Sequence, residues 1–260
     1  MLVGVIHLPP LPGSPRSELS TTECARTAAA DAAVLAHAGY DAIIVENFGD
    51  APFFAGRVPP ITTASMTACA LAVRTAAPDL LLGINVLRND AESAIAIAVA
   101  VGAGFVRVNV HTGARVTDQG VIQGEAAATL RLRSALGANA VAIWADVDVK
   151  HSAPLGPPRP IAQEVEDTTK RALAAAVLVT GDGTGKSVDV EKLAAVKKAA
   201  GKAPVLVASG ATIETLATLS AHADGVIVGS ALRVGGIPGG AIDVGLAKAF
   251  ADAYRRSFTT

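Results

Sequence analysis

Residues 141–149 read Val141-Ala-Ile-Trp-Ala-Asp146-Val-Asp148-Val149, an alternating run rich in β-branched residues. Residues 150–160 follow with four prolines, and residues 161–173 with helical spacing of apolar positions. This stretch is one strand, one loop and one helix, and the same unit recurs along the chain. Strands are expected at 2–7, 41–46, 80–86, 105–111, 141–149, 176–180, 204–208 and 224–228. Each precedes an expected helix, at 21–38, 61–77, 90–101, 125–136, 161–173, 190–199, 213–220 and 242–254. Ser20, Asn89, Asp189 and Thr212 are candidate N-caps, with side-chain oxygens for orphan amides. Eight units at a mean spacing of about 30 residues predict a single-domain α/β protein, a (β/α)8 TIM barrel over residues 1–260. A doubly wound sheet also alternates strands and helices, but usually with fewer units or a second domain.

Composition narrows the function classes. With 51% hydrophobic residues the chain can bury a large core, which excludes disorder. A net charge of −1 and 3% aromatic residues supply neither a basic stripe for phosphates nor stacking platforms for bases, so no nucleic-acid partner is expected. Mean hydropathy is +0.44, yet the apolar run at 93–106 is shorter than the roughly 18–20 residues of a spanning helix and Arg107 ends it. No transmembrane segment is expected, and peripheral membrane association stays open. Cys24 and Cys69 lie in Ala-rich helical stretches without disulfide or metal spacing, which fits a reducing cytoplasm. Pro9, Pro10, Pro12 and Pro15 near the start do not fit a signal peptide. Only 17% of residues are charged, against about 25% in soluble proteins generally, so apolar helix faces are expected to be covered in a homo-oligomer.

Chemistry in such barrels sits at the C-terminal ends of the strands. Alternation puts Arg107, Asn109 and His111 on one face of the fourth strand and Asp146, Asp148 and Lys150 on one face of the fifth, with His151 next. His7, Glu46, Asn47, Asn85 and Arg88 mark the ends of the first three. Unpaired buried charges cost on the order of several kcal/mol each. Such a polar ring is therefore either an internal ion network of Arg107 with Asp146 or a ligand site. As a site it predicts Glu46 or Asp148 as base, His111 as acid and Lys150 as electrostatic stabiliser. His7, Asn47, Asn85, Arg88, Asn109, Asp146 and His151 are then substrate-binding residues. His37 and His222 lie away from this rim and are expected to be solvated.

The segments Ala208-Ser209-Gly210-Ala211 and Val228-Gly229-Ser230-Ala231 end the seventh and eighth strands. Small residues there let backbone amides approach an anion, so Ser209, Gly210, Gly229 and Ser230 are candidate phosphate-binding residues; the plain alternative is two tight turns. Gly181-Asp-Gly-Thr-Gly185-Lys186-Ser187 resembles a P-loop but has Thr180 where that motif needs its first glycine. Lys186 is instead expected as a ligand-side cation on a Gly-rich loop. Glu46, Asp146 and Asp148 could offer oxygens to a magnesium ion, but no close His cluster accompanies them, and neither metal nor cofactor is expected.

Long motifs then bring a family into view. The segments at 4–15, 45–53, 83–90, 107–113, 117–120, 145–151 and 179–181 resemble the BtpA/SgcQ family over nearly the whole chain. The resemblance implies a barrel of the ribulose-phosphate-binding type and a role in photosystem I biogenesis in photosynthetic bacteria. Other members stand in sugar-utilisation settings and some are described as nucleosidase-like. It assigns no roles to residues, but its motifs coincide with the rim positions above. Asp148-Val-Lys150 also resembles the Asp-x-Lys-x-x-Asp motif of orotidine-phosphate decarboxylase-like enzymes; the second aspartate would fall at Ala153, which argues against decarboxylation.

Two functions follow as expectations. One is acid–base chemistry on a small phosphorylated sugar or nucleoside-like molecule, by an isomerase, lyase or nucleosidase. The other is a non-catalytic assembly factor for a membrane protein complex such as photosystem I. The polar rim favours the enzyme, and no basic amphipathic helix supports membrane docking.

Overall fold

The computed structural model describes residues 1–181 and 188–258. Its strands are β1 Leu2–His7, β2 Ala42–Glu46, β3 Leu81–Asn85, β4 Phe105–Val108, β5 Ala114–Thr117, β6 Gly120–Gln123, β7 Ala142–Val147, β8 Ser152–Pro154, β9 Ala176–Val179, β10 Val205–Val207 and β11 Gly225–Val228. Its helices are α1 Thr21–Ala38, α2 Pro60–Ala76, α3 Ala91–Val101, α4 Ala126–Ala135, α5 Ile161–Glu166, α6 Val190–Ala200, α7 Leu216–Ser220 and α8 Val244–Phe258.

Eight strands close a parallel barrel in the order β1-β11-β10-β9-β7-β4-β3-β2. β1 seals it, pairing with β2 on one side and with β11 on the other, where Leu2 sits opposite Val226. Outward-facing Ile6, Ile43, Val45, Ile84, Val106 and Ile143 join the helices in one large core. Inward-facing Val3, Val5, Ile44, Phe105, Trp144, Leu178 and Ile227 fill the barrel as a second. The rings of Phe105 and Trp144 stack with centroids 3.7 Å apart. Gly83 is required there, because a Cβ would stand 2.2 Å from the Phe105 ring. A single glycine on β3 thus makes room for the bulky floor of the site.

Local signals explain several boundaries. Ser20 and Glu23 form a full capping box on α1, and Asp189 accepts from the first amides of α6. Asp90, not Asn89, caps α3, since Asn89 bonds both backbone groups of Val110 instead. Thr212 does not cap α7; its own amide donates to Thr215 Oγ1. The expected helix at 161–173 ends as α5 at Glu166, followed by a π-turn at Asp167–Arg171.

A three-stranded antiparallel sheet, β6-β5-β8, replaces two stretches expected as loops. β5 and β6 form a hairpin with Thr117 opposite Gly120, and β8 adds the segment after Lys150 to it.

Candidate active site at the barrel mouth

Along five strands the inward side chain changes from apolar to polar in one two-residue step toward the C-terminal end. Val5 gives way to His7, Ile44 to Glu46, Gly83 to Asn85, Phe105 to Arg107 and Trp144 to Asp146. Asp146 Oδ2 and Oδ1 accept from Arg107 Nε and Nη2, both at 3.1 Å, and Oδ2 accepts from Asn109 Nδ2 at 2.7 Å. Glu46 stands 4.0 Å from the same guanidinium. Burial works against the charge on Arg107, and Asp146 with Glu46 more than offsets it, raising its pKa. Asn85 donates to the Arg107 carbonyl and to Asn109 Oδ1, at 3.0 and 3.2 Å, and its own buried Oδ1 has no partner among the described residues.

Two adjoining cavities open above this layer, sharing Glu46, Phe48, Arg107 and Lys150. The first, about 270 Å³, is lined by His7 and by the turns Ser209-Gly210-Ala211 and Gly229-Ser230-Ala231. Among the described residues, no acceptor takes the amides of Gly210, Ala211, Ser230 or Ala231. Lys150 Nζ donates to Ser209 Oγ at 3.3 Å from inside the mouth. Burial, and then the neighbouring Arg107, lowers the Lys150 pKa. The second cavity, about 410 Å³, is lined by Phe53, Arg88, Asn109, Asp118, Gln119 and His151.

His7 stacks on Phe48 with ring centroids 4.4 Å apart and accepts the Gly239 amide at Nδ1, 3.2 Å away. A neutral ring accepting there carries its proton on Nε2. Burial first, then Arg233, Lys150 and Arg107, push its pKa well below the usual histidine range.

Two of the expected catalytic residues lie elsewhere. β7 stops at Val147, and Asp148 takes a positive φ of 45°. That left-handed residue breaks the alternation, so Asp148 turns out of the mouth while Lys150 turns back in. Asp148 pairs with Arg115 on β5 and Lys192 on α6, not with Lys150. β4 ends at Val108, and His111 lies outside the barrel, with Nε2 2.9 Å from the Ala172 carbonyl. Asn47 lies beneath the mouth and braces a loop, accepting from the Leu87 amide at 2.7 Å and donating to Asp50 at 3.1 Å. Lys186 lies outside the described residues.

The structure adds residues that alternation did not reach. Arg233, 2% exposed, donates to the carbonyls of Val5, Gly229 and Gly240, which ties the last strand's turn to β1. Its only sequence signal is an arginine just past the second Gly-Ser-Ala turn. Asp118 and Gln119 form the hairpin tip that reaches the second cavity. The flanking Val116-Thr117 and Gly120-Val121 carried that turn signal. Among the described residues, no group of three His, Cys, Asp or Glu side chains is placed to hold a metal ion, and no helix is long and apolar enough to cross a membrane.

Known proteins share this fold. A phosphoribosyl anthranilate isomerase structure from Thermus thermophilus superposes with a TM-score of 0.59 at 14% identity, covering 98% of this chain and 99% of that one. At that identity the likeness speaks to the barrel alone. An uncharacterized protein of Methanocaldococcus jannaschii is 41% identical over 247 residues, 95% of this chain and 92% of that protein. The photosystem I biogenesis protein BtpA of Synechocystis is 45% identical over 254 residues, 97% of this chain and 87% of that protein. With the family's own profile matching residues 1–256, the chain belongs to the BtpA family.

Proposed function

We propose that the protein is an enzyme that moves a proton on a small phosphorylated sugar or nucleoside-like substrate held in the barrel mouth. One observation carries this reading: the unaccepted amides of the two Gly/Ser turns, with Lys150 Nζ at Ser209, open into the same cavity as Glu46. Backbone amides and an ammonium suit a phosphate dianion, and a buried carboxylate beside them suits a base. In this scheme the Ser209, Gly210, Gly229 and Ser230 turns hold the phosphate. Glu46 takes a proton from the substrate carbon and returns it to the neighbouring one, Lys150 and Arg107 stabilise the oxyanion that forms between, and the His7 Nε2–H donates a hydrogen bond to it. His7 thus stands where His111 was expected. The low charged fraction supports a homo-oligomer, which light scattering reads directly, and two cysteines without disulfide spacing support a cytoplasmic location.

Titration calorimetry tests the phosphate grip. Wild-type protein binds ribose 5-phosphate at least tenfold more tightly than ribose, and Ser230→Asp, which sets a like charge in the grip, removes the difference. Equal affinity for the two sugars contradicts the reading. The name of the Synechocystis relative favours a second reading, a non-catalytic factor for a membrane protein complex. That reading gains if no phosphorylated sugar binds and the turns tolerate Ser230→Asp.

A further inference from the structure

The cations around the mouth are not alike in their partners. Arg107 is held by Asp146, Arg115 by Asp148 and Glu164, and Lys192 by Asp148. Arg88 is different. It is 7% exposed and lines the larger cavity, yet among the described residues no carboxylate lies within ion-pairing distance of it. Among the described residues its side chain has one hydrogen bond, from Nη2 to the Lys150 carbonyl at 2.8 Å. A guanidinium carries five N–H donors in a planar fork, so most of this one is left for something else. The acidic groups that face it across the mouth are Asp146, Glu46 and Asp118. Asp146 is already shared between Arg107 and Asn109, and Glu46 is the carboxylate beside Arg107. Keeping a cation this deep without a counter-ion is costly unless an anion arrives with the ligand.

We infer that the ligand carries two anionic groups, a phosphate at the Ser209 and Ser230 turns and a second acidic group, carboxylate or phosphate, at Arg88. The inference rests on the phosphate reading above and extends it to the other end of the mouth. Lys150 joins the two ends, because its Nζ meets Ser209 while its carbonyl holds Arg88. A bidentate Arg–carboxylate or Arg–phosphate contact is the geometry that an open guanidinium fork favours.

A matched set of probes tests it by calorimetry: glucitol 6-phosphate, 6-phosphogluconate, which has a carboxylate where glucitol has a hydroxymethyl group, and glucitol 1,6-bisphosphate. Wild-type protein binds at least one of the two dianionic-ended probes tenfold or more tightly than glucitol 6-phosphate. Which one gains identifies the second group as carboxylate or phosphate. Arg88→Met brings the three affinities within twofold of one another; Arg88→Lys, which keeps the charge but loses the fork, falls between. Three equal affinities for the wild type, or a preference that survives Arg88→Met in folded protein, overturns the inference while the phosphate reading stands. If glucitol 6-phosphate itself does not bind, the phosphate reading fails and this inference fails with it.

Discussion

Asp146 and Asp148 stand two residues apart, and each meets an arginine from the neighbouring part of the chain. Asp146 lies inside the barrel with its side chain fully covered, bonded to Arg107 and Asn109. Asp148 lies outside with its side chain 40% exposed, between Arg115 and Lys192. The inner cluster is shielded from water, so its charges act strongly on each other and on whatever enters the mouth. The outer one is partly screened, and it ties the β5–β6 hairpin to the segment after β7 and to α6. The difference teaches that one backbone residue with a positive φ can assign two identical side chains to separate jobs, one electrostatic at the site and one holding its cover.

The sharpest way to break that contrast is to remove each carboxylate. Asp146→Ala leaves Arg107 buried with Glu46 only at long range, and urea unfolding should show a loss of about 3–5 kcal/mol. Replacing the pair together, Arg107→Met with Asp146→Leu, should recover most of it. A loss below about 1 kcal/mol for Asp146→Ala would mean that the inner pair is as weak as a surface one.

His7 supplies the next effect, through pH. Its folded-state pKa lies below the ordinary 6.5. Below about pH 6.5 the unfolded chain therefore takes up a proton that the folded ring refuses, and stability falls as pH falls, by at most about 1.4 kcal/mol per pH unit. Stability curves of wild type and His7→Gln should diverge on the acid side and run parallel above neutrality. Parallel curves down to pH 5 would remove the neutral imidazole from the account.

Asp148→Ala should cost about 1 kcal/mol or less, because Asp148 itself is 40% exposed and Arg115 keeps Glu164 as a partner. Its effect is local: amide exchange at 114–123 speeds up while the barrel strands keep their protection. The smallest effect is between neighbours in sequence. Asp148→Asn and Lys150→Met should add in stability within about 0.5 kcal/mol, since the two side chains serve different partners. A coupling well above that would restore them as a pair.

These cases also mark what could be read in advance. Eight repeats of an alternating run and a helix announced the barrel, because each strand had to bury one face in the interior and the other under helices. The same period put Arg107 and Asp146 on the inner face correctly, since both lie within regular strands. It failed for His111 and Asp148, which stand beyond Val108 and Val147, where the ladder stops and alternation has no physical basis. Lys150 reached the mouth by a route alternation does not describe, through a left-handed residue at Asp148 and another at His151 just after it. The paired Gly/Ser turns were legible because small residues at the last two strands leave amides uncovered. Arg233 was not, since three carbonyls from distant segments meet only after the barrel closes.

The most direct test of the central claim, that Lys150 faces the ligand and Asp148 does not, is the affinity of ribose 5-phosphate for Lys150→Met and for Asp148→Asn, measured by calorimetry beside the wild type. The account predicts at least a tenfold loss for Lys150→Met and a change within threefold for Asp148→Asn. An equal or larger loss for Asp148→Asn, or full affinity in Lys150→Met, would contradict it.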